Sequence, residues 1–260
     1  MVLPHDELGT GPAVVLLHAG ICDRRMWTET LEALAAASHR AIAVDLPGYG
    51  DAGLDASRPY APWEDVLGTL DNLGIEQAAL VGVSAGGGIA LRLAAVAPGR
   101  VRALCLVSAR PCSDAPPSAQ LQAAFDAEAG PAEAGDLDAA VAGVLAHWLM
   151  PDARAALRDR VAAMERRSLE IQLAAGDPPE APDPLAQRPD VLEAITAPTL
   201  VCVGEHDLPD FHAAADELAR RLPRAAGPAV VIPGARHLAP LEAPDKFRAR
   251  LLDFLTATAT

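Results

Sequence analysis

The stretch Leu80-Val81-Gly82-Val83-Ser84-Ala85-Gly86-Gly87-Gly88-Ile89-Ala90 decides how this 260-residue chain is read. An apolar run ends on a serine, glycines flank it, and an Ala/Leu-rich helical pattern follows. A serine between a buried strand and a helix must occupy a very tight turn, so the positions two before and two after it need to be nearly free of side chain. Gly82 and Gly86 meet that need. A turn of this kind, a nucleophile elbow, lifts the hydroxyl out of the sheet and aims the first amides of the helix at the same space. Gly86, Gly87 and Gly88 each cost a helix about 1 kcal/mol relative to alanine, which points to a steric demand.

Outward from the elbow, strand and helix patterns alternate. Apolar β-type runs at residues 13–17, 41–44, 78–83 and 103–107 are separated by helical spacing at residues 30–37, 63–72 and 85–97. This predicts an α/β fold with a mostly parallel central sheet flanked by helices. After Ser108 the alternation lapses, and residues 109–197 are far too many for a simple connection. Their Ala/Leu-rich segments at 119–127, 137–149 and 153–169 predict helices, and the proline-rich stretch 176–189 an irregular return. We read them as a helical cap inserted between two parts of the core, residues 1–108 and 198–260. The sheet resumes at residues 199–203, followed by a helix at 211–222, a strand at 229–232, a helix at 246–255 and a frayed tail at 256–260.

In a parallel α/β sheet, ligands bind beyond the carboxyl ends of the strands. His18-Ala19-Gly20, Ser84, Asp207 and His237 all follow different predicted strands at that edge. A lone serine hydroxyl is a poor nucleophile, so it requires a general base and a third group that fixes the base's tautomer. Ser84 is read as nucleophile, His237 as base and Asp207 as orienting carboxylate. Asp210 competes with Asp207 but is also placed to cap the helix near Phe211. The negative oxygen of a tetrahedral intermediate would meet the backbone N–H groups of Ala85 and Gly20, with Ile21 as the alternative to Gly20. His18 is expected to brace this loop, and Asp45, in a turn with Pro47 and Gly48, to hold structural hydrogen bonds.

Composition bounds the partners. Lys plus Arg number 21 against 35 Asp plus Glu, a formal charge of −14, which argues against nucleic acid or an anionic membrane. No apolar run approaches a membrane span, and residues 1–7 lack the basic and apolar regions of a signal peptide, so a cytoplasmic protein is expected. Cys22, Cys105, Cys112 and Cys202 have no metal-ligand spacing and read as structural thiols; no metal or cofactor is expected. The expected partner is a small-molecule substrate, on a monomer or homodimer.

Together, His18-Ala19-Gly20, Asp45-Leu46-Pro47-Gly48-Tyr49-Gly50, Gly82-Val83-Ser84-Ala85-Gly86, Gly204-Glu205-His206-Asp207 and Gly234-Ala235-Arg236-His237-Leu238 resemble the α/β-hydrolase superfamily over nearly the whole chain. The chain looks somewhat like its enol-lactonases and carboxylesterases. The resemblance implies a serine hydrolase acting on an ester, thioester or lactone, with carbon–carbon bond hydrolysis or acyl transfer as alternatives on the same triad. A lyase, isomerase, cyclase or binding protein using the same pocket is the alternative of another class. Dehalogenase and epoxide-hydrolase members of the family place aspartate at the elbow, which serine here disfavours. The chain departs from the family at Ala19, where glycine is usual, and in its short segment before Gly11, which implies one leading strand fewer.

Substrate contacts are expected from Arg24, with Arg25 beside it, as a carboxylate clamp, and from Trp27, Arg110, His147 and Trp148.

Overall fold

The apolar runs become the middle of one sheet. A computed structural model describes residues 2–111, 116–187 and 190–258. Its strands are β1 (His5–Leu8), β2 (Ala13–Leu17), β3 (Arg40–Val44), β4 (Ala78–Val83), β5 (Val101–Val107), β6 (Thr199–Gly204) and β7 (Val230–Ile232). They lie in the order β1-β3-β2-β4-β5-β6-β7, with every neighbouring pair parallel except β1 and β3. All residues of β2, β4 and β6 are buried, as expected for a parallel sheet covered on both faces. The leading strand β1 has no counterpart in the sequence reading. Its four residues, His-Asp-Glu-Leu, are mostly exposed and pair antiparallel at the edge, so backbone bonding defines the strand without an apolar pattern.

The helices are α1 (Thr28–Ala36), α2 (Pro62–Asn72), α3 (Ala85–Val96), α4 (Ala119–Glu133), α5 (Leu137–Trp148), α6 (Ala155–Ala175), α7 (Pro209–Arg221), α8 (Ala239–Glu242) and α9 (Pro244–Ala257). Three of them, α4 to α6, fall between β5 and β6. The sequence reading ends α4 at residue 127, yet it continues through Pro131. Proline has no N–H for the Ala127 carbonyl one turn back. Gly143 of α5 lies against that carbonyl so closely that a Cβ there would sit 2.2 Å from its oxygen. Packing against α5 thus carries α4 past a residue that normally stops a helix. Likewise α9 runs to Ala257, with the Thr258 hydroxyl bonded to the Phe254 carbonyl, so the expected fraying at 256 does not occur. Residues 259–260 and Cys112 lie outside the described residues.

Leu121 and Ala124 of α4, Val144 and Trp148 of α5, and Val161 and Met164 of α6 join the same buried apolar cluster as the strands. A second, smaller cluster of Ala132, Ala140, Val141 and Leu169 lies among the three helices themselves. Among the described residues no helix is long and apolar enough to cross a membrane.

Candidate active site

Ser84 lies between β4 and α3 with φ at +51°, in the left-handed region that non-glycine residues rarely occupy. Its N–H bonds the Val107 carbonyl of β5 at 2.9 Å, and its own carbonyl accepts the Gly88 N–H at 3.0 Å, so sheet and helix hold the turn from both sides. Gly82 and Gly86 permit it. A Cβ at Gly82 would lie 2.4 Å from the Gly86 oxygen, and one at Gly86 2.3 Å from the Leu17 oxygen.

At the end of β6, Gly204 performs a similar service. A Cβ there would sit 1.7 Å from the Arg236 carbonyl oxygen, so only glycine lets the loop after β7 cross the strand end. That crossing brings His237 to Asp207. The imidazole Nδ1 lies 3.1 and 3.0 Å from the two carboxylate oxygens, and both residues are buried. Burial acts to raise the Asp207 pKa, but the nearby imidazole, its hydrogen bond and the Leu208 N–H help outweigh burial and hold it below the usual range. An ionised carboxylate can only accept, so Nδ1 carries the proton and Nε2 is left as the basic nitrogen. Among the described residues no hydrogen bond joins Ser84 to His237; both face one cavity of about 1030 Å³. Asp210 lies elsewhere, accepting the N–H and hydroxyl of Ser118 at 2.9 and 2.5 Å.

The loop after β2 closes the cavity beside the elbow. Gly20, Ile21, Ala85 and Ser84 all line it, and a Cβ at Gly20 would come 3.6 Å from the Ala85 methyl. His18 is fully buried beneath this loop. Its Nε2 accepts the Leu46 N–H at 3.0 Å, which leaves Nδ1 to donate to the Ala19 carbonyl at 2.8 Å. Burial pushes its pKa down, and in this neutral tautomer it braces the loop.

The expected substrate contacts divide. Arg110 and Trp148 line the cavity. Arg24, Trp27 and His147 do not, and each has a structural reason. Arg24 pairs with the fully buried Asp45 and with Asp51 and Asp6, and Arg25 pairs with Asp23. Trp27 is fully buried against Phe247, ring centroids 6.3 Å apart. His147 turns back to the Gly143 carbonyl of its own helix at 2.9 Å.

The cavity also holds residues that the sequence reading did not single out: Tyr49, Trp63, Arg92, Phe125, Glu128 and Phe211. Arg92 donates to Asp183 at 2.6 Å and to the Gly88 carbonyl at 3.0 Å, and lies over the Trp63 ring at 5.9 Å. Tyr49 lies in the turn after β3, while Trp63, Arg92, Phe125, Glu128 and Phe211 sit within helices, where periodicity does not separate a cavity-facing side chain from a packed one.

A model of the alpha/beta hydrolase family matches residues 14–250. Among solved structures, an esterase from Thermogutta terrifontis is 27% identical with a TM-score of 0.82, covering 99% of this chain and 94% of that one. The enol-lactonase from Burkholderia xenovorans LB400 is 28% identical with a TM-score of 0.75, covering 98% and 96%. Among curated relatives, the dihydrolipoyllysine-residue acetyltransferase component of the acetoin cleaving system from Pseudomonas putida is 32% identical over 96% of this chain. The chain spans 65% of that relative's length.

Proposed function

Because this chain belongs to the alpha/beta hydrolase family, we propose that it is a serine hydrolase that cleaves esters, thioesters or lactones of small to medium, partly apolar acids through an acyl-enzyme. One observation carries the reading: a serine held at φ +51° shares a cavity wall with a histidine whose Nδ1 is committed to a buried, ionised aspartate. Ser84 Oγ attacks the carbonyl carbon while His237 Nε2 takes its proton. The N–H groups of Ala85 and of Gly20 or Ile21 receive the developing negative charge, and collapse of the intermediate expels the leaving group, which takes the proton back from His237. Water then repeats the sequence on the acyl-enzyme and releases the acid. The bond between base and nucleophile is commonly long before substrate arrives and tightens in the complex. Arg110 and Trp148 are assigned as substrate contacts, since both face the cavity.

The test is Ser84→Ala. We expect kcat on a panel of activated esters to fall by about 10⁴-fold or more with an unchanged melting temperature. Wild-type turnover in Ser84→Ala, or failure of a fluorophosphonate to label Ser84 in the folded protein, would sink this reading.

Transfer of the acyl group to an acceptor other than water is a second reading, favoured by the acetyltransferase in the name of the Pseudomonas putida relative. It uses the same acyl-enzyme and is separated by product analysis with competing nucleophiles. About a third of that relative has no counterpart in this chain, so hydrolysis stands first.

A further inference from the structure

Glu242 takes no part in the chemistry above, yet its carboxylate receives three backbone N–H groups. Met150 donates to Oε1 at 2.6 Å, and Arg236 and Leu238 donate to Oε2 at 2.9 and 3.2 Å. Two of those amides flank His237; the third lies two residues beyond Trp148, past the end of α5. Arg236 completes the tie from the other direction, its Nη1 donating to the Ala146 and Leu149 carbonyls, both at 3.2 Å. Carbonyls at a helix C-terminus have no partner within the helix, and a guanidinium satisfies two of them here. The end of α5 and the His237 loop, 92 positions apart at Met150 and Glu242, are thereby joined.

The consequence is where two aromatic rings lie. Trp148 has its ring centroid 4.5 Å from the His237 imidazole, and Phe211, in the first turn of α7, lies at 4.4 Å. The two rings are 6.0 Å from each other, so they embrace the imidazole from adjacent sides while Asp207 holds Nδ1.

We propose that Glu242, Trp148 and Phe211 are positioning residues for the base: Glu242 fastens α5 to the His237 loop, and the two rings fix the imidazole so that Nε2 stays turned to the cavity. The inference rests on the reading of Ser84 and His237 given above. It makes a helix from between β5 and β6 part of the catalytic apparatus as well as part of the substrate pocket.

The experiment uses the full chain with Trp148→Ala, Trp148→Phe, Phe211→Leu and Glu242→Gln. It reads kcat and KM on p-nitrophenyl acetate, and the downfield imidazole N–H proton resonance assigned by its absence from His237→Asn. Positioned proton transfer contributes roughly 10²–10⁴-fold, and we expect Trp148→Ala, Phe211→Leu and Glu242→Gln to lose about 10-fold in kcat, with KM nearly unchanged in Glu242→Gln, whose side chain is not among those lining the cavity. The resonance should broaden by solvent exchange in the same three variants, and Trp148→Phe should restore both readouts. A packing role alone would lower the melting temperature without moving kcat per folded molecule or the resonance. Wild-type kcat and a sharp resonance in Glu242→Gln and Phe211→Leu overturn the proposal, even if Trp148→Ala does not fold. If Ser84→Ala keeps full turnover, the serine reading fails, while the resonance still reports whether His237 is held.

Discussion

A methyl group has very different consequences at neighbouring glycines of the elbow. At Gly86 it would meet the Leu17 and His18 carbonyl oxygens at 2.3 and 2.6 Å, and at Gly87 the Ala109 methyl at 2.6 Å. At Gly88 it would meet no backbone closer than the Arg110 carbonyl oxygen at 3.9 Å, and otherwise only the outer end of the long Arg92 side chain, at 3.0 Å. The steric demand inferred for all three glycines therefore holds for the first two alone; Gly88 instead leaves room on the cavity wall. We expect Gly86→Ala to abolish soluble expression or activity. Gly88→Ala should fold with stability equal to or up to about 1 kcal/mol above wild type, with kcat/KM falling for bulky acyl groups more than for acetyl. Thermal melts and an acyl-length series check both. Glu165 of α6 makes a second residue-scale point. It is fully buried, one oxygen lacks a hydrogen-bond partner, and burial, reinforced by Glu128, pushes its carboxyl well above the usual range. A carboxyl that binds its proton more tightly in the folded state makes stability fall as pH rises from the unfolded pKa toward the folded one. Glu165→Gln, neutral at every pH, should therefore raise the melting temperature by about 2–4 °C, or ~1 kcal/mol, at pH 7 and by less near pH 4. An equal gain at both pH values would contradict this account.

Among the elements, the turn after β3 owes its shape to one carboxylate. Asp45 is fully buried and accepts the Arg24 and Asp51 N–H groups, both at 2.8 Å, together with the Arg24 guanidinium. Gly50, at φ +58°, is required there because a Cβ would lie 2.3 Å from that carboxylate. Arg24 thus joins the loop after β2 to the turn after β3, and the substrate clamp expected from its sequence position gives way to a structural pair. Removing one partner of a buried pair leaves an uncompensated charge, which typically costs about 3–5 kcal/mol. Arg24→Ala should lose about that much in denaturant unfolding. In the fraction that remains folded, KM for esters bearing a free carboxylate should match that of wild type; a selective rise in KM would restore the clamp. The sequence could not separate the two roles, because an arginine after a strand end has the same local signature whether its carboxylate partner belongs to the protein or to a ligand.

At the scale of the whole molecule, side chains from α4, α5 and α6 share one buried cluster with the sheet. Calorimetry should accordingly show one cooperative transition, with the calorimetric and van't Hoff enthalpies equal. Two resolved transitions would mean that residues 109–197 unfold on their own. The order of strands and helices, the glycine-bound elbow and the strand-end positions of Ser84, Asp207 and His237 could be read from the sequence. Each is written in local periodicity or turn chemistry, which acts over a few residues. The polar edge strand β1 and the passage of α4 through Pro131 could not, since partners elsewhere in the chain hold both. Only the tertiary structure decided that Arg24 and Trp27 belong to the framework, that Arg110 and Trp148 face the cavity, and that Glu242 fastens α5 beside His237. The physical reason is common to all of them. A charged or aromatic side chain takes its role from what it touches, and here those partners come from distant parts of the chain.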